Sequence, residues 1–198
     1  MRYSMISVAL LMLSGACSQQ AAEPAAQTWE RIQQGALSES AQAQLDRAVQ
    51  AKEALFQRLS IRLGEVIKAE GPAAAIRVCR LEAPQMARAV AQEHHLNIGR
   101  TSFGLRNPVN KPPSWAAPLI EERPEKPVIL TRGDGDLAAL LPIRLQKGCL
   151  TCHGPQDQIP EEVKTALAEL YPEDEATGFN EGDLRGWFWV SVSGSSGE

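Results

Sequence analysis

The period of the apolar positions splits the chain into a helical first part and a strand-rich second part. From Ser38 to Glu70, Leu45, Val49, Leu55, Leu59, Leu63, Val66 and Ile67 recur mostly at spacings of three and four. That stripe predicts one long amphipathic helix. Gly71-Pro72 ends it and opens a second, at about 72–93, with Pro72 suited to a first-turn position. Ile76, Cys79, Ala83, Met86 and Val90 then share one face, and Pro84, which has no amide hydrogen, kinks or restarts the helix. Cys79 is thereby aimed with the core residues.

After Leu96 the period shortens. Residues 97–110 read as a short strand followed by a turn-rich loop, with further prolines at 112 and 113. Pro127–Arg132 and Leu137–Leu145 read as two strands joined around Gly133-Asp134-Gly135. Glu161–Tyr171 is a short amphipathic helix and Gly186–Val192 a closing strand, along which Trp187, Phe188 and Trp189 alternate in direction. Helices followed by mostly antiparallel strands predict an α+β domain. Trp115 is expected in its core.

The N-terminus has a different texture. Arg2, an apolar run Met5–Leu13 and the small residues Ser14-Gly15-Ala16 precede Cys17. The run is short for a membrane span and reads as a secretory signal. Small residues ending at a cysteine resemble a bacterial lipobox, although Ser14 stands where leucine is usual. Residues 1–17 are therefore expected to be a signal peptide, with Cys17 carrying a lipid anchor. Residues 18–37 are expected to be a tether, 38–193 the domain and 194–198 a flexible tail. The expected location is the periplasm, anchored to the membrane, and Ser18 favours the outer membrane. A net charge of −4 without any run of lysine or arginine excludes nucleic acid as a partner.

The chemistry lies in Gly148-Cys149-Leu150-Thr151-Cys152-His153-Gly154. Cys-x-x-Cys-His is the attachment pattern of c-type haem. Two thiols at this spacing reach the two vinyl groups of a porphyrin, and the following imidazole is a neutral nitrogen ligand for its iron. Gly154 is expected to let the backbone turn away from the porphyrin face. A redox Cys-x-x-Cys needs a thioredoxin-like βαβ context, and a zinc site needs a second compact ligand pair; neither is present. If Cys17 is lipidated, three cysteines remain, and Cys79 has no partner. On the opposite face of the iron, Cys79, Met86, His94 and His95 are all candidates from position alone.

Several separated motifs agree in order: Ala75-Ile-Arg-Val-Cys79 with Ala83-Pro84, Ile98-Gly-Arg-Thr-Ser102, Arg106-Asn-Pro108 with Asn110 and Trp115, Pro142-Ile143, Cys149–Gly154, Gly182 and Arg185-Gly186. Together they resemble the family of PAS-like c-type haem domains. Its members occur as single exported proteins in cyanobacteria and proteobacteria and as sensor modules of histidine kinases. The resemblance spans roughly residues 40–192. It implies long helices before a PAS-like antiparallel sheet, one covalent haem c, and iron ligation by the motif histidine and a distal cysteine, here His153 and Cys79.

A thiolate ligand would stabilise ferric iron and lower its potential. Arg100 and Arg106 are expected as partners of the haem propionates, since guanidinium binds carboxylate in a fork. Thr101, Asn107 and Asn110 are expected to order their loop. The expected role is redox sensing or signalling without catalysis, through a separate redox or signalling protein, with a small gas ligand as a further partner. The alternatives are a low-potential periplasmic electron carrier and a haem enzyme of peroxidase or thiol chemistry.

Overall fold

The computed structural model describes residues 28–133 and 135–194. The expected signal peptide, the lipid anchor at Cys17, the first ten tether residues and residues 195–198 of the tail lie outside them. Among the described residues no helix is long and apolar enough to cross a membrane.

Helix α1 runs Glu39–Glu70, started by Ser38, whose hydroxyl accepts from the Ala41 amide, and stopped by Gly71 at φ 86°. Its buried line passes through Leu45, Ala48, Ala51, Leu55, Leu59 and Val66. Val49, read into the stripe from its spacing, is 39% exposed. Alanines 48 and 51 take the contact instead, because their short side chains bring the helix close to the sheet. Helix α2 is Pro72–Leu81 and helix α3 is Ala83–His94. The restart expected at Pro84 falls at Glu82, whose carboxylate takes a fork from Arg62 at 2.8 and 3.1 Å. The break separates the face drawn through 76–90: Ile76 packs with a later helix, whereas Met86 and Val90 pack on the sheet.

The five strands, β1 Glu30–Arg31, β2 Asn97–Thr101, β3 Val128–Thr131, β4 Leu137–Arg144 and β5 Leu184–Val192, are antiparallel in the order β1-β3-β4-β5-β2. The α+β class is as expected. One sheet face, with Ile98, Ala139, Leu141, Phe188 and Val190, packs under α1 and α3. The other, with Leu130, Ala138, Leu140 and Trp187, is covered by Trp29, Trp115 and helix α4, Ala117–Glu122. Burial on both faces explains why β4 is almost continuously apolar. Pro142 is tolerated in β4 because β3 ends opposite Leu140, leaving that side of Pro142 without a ladder to break.

Residues 28–37 correct the expected tether. β1 pairs with β3, the Ile32 amide donates to the Ile129 carbonyl at 3.0 Å, and Trp29 and Leu37 pack on the two faces of the sheet. The fold therefore begins by residue 28. Helix α4, after the prolines at 112 and 113, is an element that the apolar pattern did not predict.

Beyond β4 the chain turns through a 3-10 segment, Lys147–Cys149, into helix α5, Leu150–His153, and then helix α6, Glu161–Leu170. Val163 and Leu167 of α6 pack against Ile76 of α2.

Candidate functional site

Cys149, Cys152 and His153 sit on one short helical turn, fixed from behind by backbone bonds. The Gly178 amide donates to the Gly154 carbonyl at 2.8 Å, and the Phe179 amide to the His153 carbonyl at 3.0 Å. Gly154 closes the turn with its amide on the Leu150 carbonyl at 2.8 Å. A Cβ there would lie 2.5 Å from that same carbonyl oxygen. Glycine is thus demanded by the motif's own helix end, a nearer cause than the porphyrin face.

Above the motif is a cavity of about 410 Å³ between the C-terminal half of α1, α2, the end of β2 and α5. Cys79, Arg100, Arg106, Cys149, Cys152 and His153, all six site residues expected from sequence, line it. Met86, His94 and His95 do not. Of the aromatic run, Phe188 reaches the cavity, while Trp187 packs on the far face of the sheet with Trp189 and Trp115. Cys79, Cys149 and Cys152 are thiols, each half-buried. Among the described residues no three His, Cys, Asp or Glu side chains come together closely enough to hold a bare metal ion.

His153 is oriented by a carbonyl: Nδ1 lies 2.6 Å from the Ala176 oxygen. Arg185 Nε lies 3.3 Å from the same Nδ1. The nitrogen cannot donate to one and accept from the other. A carbonyl oxygen only accepts, so the shorter contact puts the proton on Nδ1 and leaves the Nε2 lone pair for a ligand. Burial, with the charges of Arg106 and Arg185, holds His153 well below the usual imidazole range. It is therefore neutral at pH 7, as a metal ligand must be. Burial also pushes the Cys152 thiol up to about 11.

Arg106 lines the cavity, but its guanidinium has other partners than the carboxylate expected of it. Nε and Nη2 each meet the Asp174 carboxylate at 3.0 Å, and Nη2 donates to the Cys152 carbonyl at 2.6 Å and to the Ala176 carbonyl at 3.3 Å. It acts as a clamp on the motif. Arg185, quoted only for resemblance, donates from Nη1 to Ser102 Oγ at 2.7 Å and to the Gly104 carbonyl at 3.0 Å. Asn107 orders its loop as expected, accepting from the Val109 amide at 3.2 Å. Tyr171 and Asp174 were not foreseen. A tyrosine closing an amphipathic helix and an acid in a polar turn carry no signal of burial in sequence.

The walls suit a flat macrocycle. Gly64 lines the cavity from the last two turns of α1, inside a helix, where glycine costs about 1 kcal/mol relative to alanine. A Cβ added there meets nothing within 4 Å, so protein packing does not require the glycine. The open space beside it borders the cavity. Leu59, Leu63, Ile76 and Phe188 supply apolar surface, and the buried Tyr171 hydroxyl has no hydrogen-bond partner. Two thiols, a free imidazole Nε2 and a third thiol around such a space are the donors that a covalently held porphyrin needs.

The fold is similar to that of the cyanobacterial heme-protein Tll0287, with a TM-score of 0.57 and 26% identity over 76% of this chain and 95% of that one. No curated protein matches the chain. The Tll0287-like family model matches residues 19–193, which takes in every described element and every residue of the cavity, and the chain belongs to the Tll0287-like family.

Proposed function

We propose that the chain is an exported, lipid-anchored protein that holds one haem c and serves redox sensing or signalling. In this reading Cys149 and Cys152 form the thioether links, and His153 Nε2 and the Cys79 thiolate take the two axial positions. The observation that carries it is that these four residues line a single cavity. Haem bound there supplies an iron that cycles between ferric and ferrous states.

Cys79 favours the ferric state by donating negative charge. Reduction of such a haem by a periplasmic one-electron donor would weaken that hold and leave Cys79 able to draw away with α2. That helix lies between Gly71 and Glu82 and packs on α1 and α6, so a shift of Cys79 would be passed to both. The result couples redox state to shape through a two-state element, passes the signal to a separate protein, and opens a position for a small gas ligand. If His153 and Cys79 both hold the iron, the resting protein would offer a substrate no ready place on it, which favours a non-enzymatic role.

The test is expression with a c-type maturation system. Haem should survive denaturing electrophoresis, and Cys149→Ser and Cys152→Ser should each reduce its retention. Cys79→Ser should alter the ferric spectrum and raise the potential; an unchanged ferric spectrum overturns the ligand assignment. Cys17→Ser should release the protein from the membrane fraction. Fast electron exchange without any movement of α2 would mark an electron carrier instead.

A further inference from the structure

The charges around the cavity do not balance. Three guanidinium groups line it, those of Arg100, Arg106 and Arg185, and no aspartate or glutamate does. Asp174 matches Arg106 from outside the lining. Arg185 has only uncharged acceptors, Ser102 Oγ and the Gly104 carbonyl, among its hydrogen-bond partners. Arg100 has no acceptor at all among the described residues, although β2 places it on the cavity side of the sheet, level with Phe188. Burial lowers the affinity of both for their protons, Arg185 to about 10.

Two hydroxyls on this wall, those of Thr101 and Tyr171, are also buried without a hydrogen-bond partner. Tyr171 is 5% exposed, lines the cavity, and its hydroxyl is buried without a partner. Half-buried charges without a counter-charge, and a buried hydroxyl without a hydrogen bond, are costly unless something arrives to meet them. Two cations without a carboxylate of their own, beside the free Tyr171 hydroxyl, are the complement of a ligand with two carboxylates.

We infer that the cavity selects a dianionic macrocycle, with Arg100 and Tyr171 together receiving one of its carboxylates and the charge of Arg185 offsetting the other. The inference rests on the haem reading and names the ligand's acidic edge as what this wall recognises. Tyr171 becomes a ligand-binding residue, and Arg106 is replaced in that role.

The experiment is a fluorescence titration of the full haem-free chain with mesoporphyrin IX and with its dimethyl ester. Neither probe carries iron or vinyl groups, so the axial ligands and the thioether links play no part. The wild-type chain should bind the diacid at least about tenfold more tightly than the diester, the loss expected for a charged hydrogen bond. Arg100→Leu and Tyr171→Phe should each weaken diacid binding and leave diester binding unchanged, and His95→Ala should change neither. Equal affinity for the two probes overturns the inference and leaves the haem reading standing. Failure of a folded chain to bind either probe overturns both. On the haem-loaded protein the resonance Raman propionate bending band should shift in Arg100→Leu and Tyr171→Phe. A band unmoved in both overturns the inference even if the haem-free variants do not fold.

Discussion

Arg106 and Asp174 form a two-armed ion pair, 3.0 Å on each arm, with side chains only 7% and 10% exposed. The pair ties the loop after β2 to the segment that orients His153. Asp174 Oδ1 also accepts from the Ala176 amide at 3.0 Å, and the Ala176 carbonyl receives His153 Nδ1–H. One buried carboxylate therefore positions both the clamp on the motif and the carbonyl that sets its imidazole.

Removing that carboxylate leaves a buried guanidinium without a counter-charge. Asp174→Asn is expected to destabilise the chain by about 3–5 kcal/mol, the range for breaking one side of a buried pair. Urea denaturation of the wild-type and variant chains measures it. A loss below about 1 kcal/mol would mean that the pair behaves as a surface contact.

Gly64 separates two effects that act in opposite directions. Gly64→Ala should stabilise the haem-free chain by about 0.5–1 kcal/mol, because helix interiors disfavour glycine and nothing crowds the new methyl. Gly64→Leu should fill the cavity and lower the amount of haem recovered covalently attached. Thermal unfolding of the haem-free protein and haem staining of the matured protein read the two effects independently.

Much of this architecture was legible because its signals are periodic or local. The stripe of α1, the apolar run of β4 and the spacing of Cys149, Cys152 and His153 each stand in a short window of sequence. Cys79 was visible as a core-facing position, though only the resemblance chose it over Met86, His94 and His95. What escaped depends on distant partners. β1 is two charged residues whose strand character comes from β3. Arg106 was assigned a ligand because its neutralising carboxylate lies 68 residues away. Tyr171 takes its meaning from a cavity that no window of sequence contains.

Gly186 marks the point where β5 leaves regular pairing. Its φ is 153°, the register slips between Ile143 and Arg144 beside it, and an added Cβ would collide with the Thr101 carbonyl oxygen. Gly186→Ala is expected to cost about 3 kcal/mol, combining backbone strain with displacement of β2. Because β2 carries Arg100, haem incorporation should fall with stability. Denaturation midpoints and haem content, measured on one preparation, should drop together.

The start of the folded unit can be tested by truncation. A chain beginning at residue 38 lacks β1, the Ile32–Ile129 backbone bond and the Trp29 contact with Trp115, whose ring centroids are 6.0 Å apart. It should be less stable than one beginning at residue 28, and β3 should become an open edge prone to self-association. Trp29→Ala in the longer chain should reproduce part of the loss, about 2 kcal/mol for a large side chain that is only partly buried. If the two chains melt together and both remain monomeric by light scattering, residues 28–37 are a tether after all. If the shorter chain melts earlier, the strand pairing is structural.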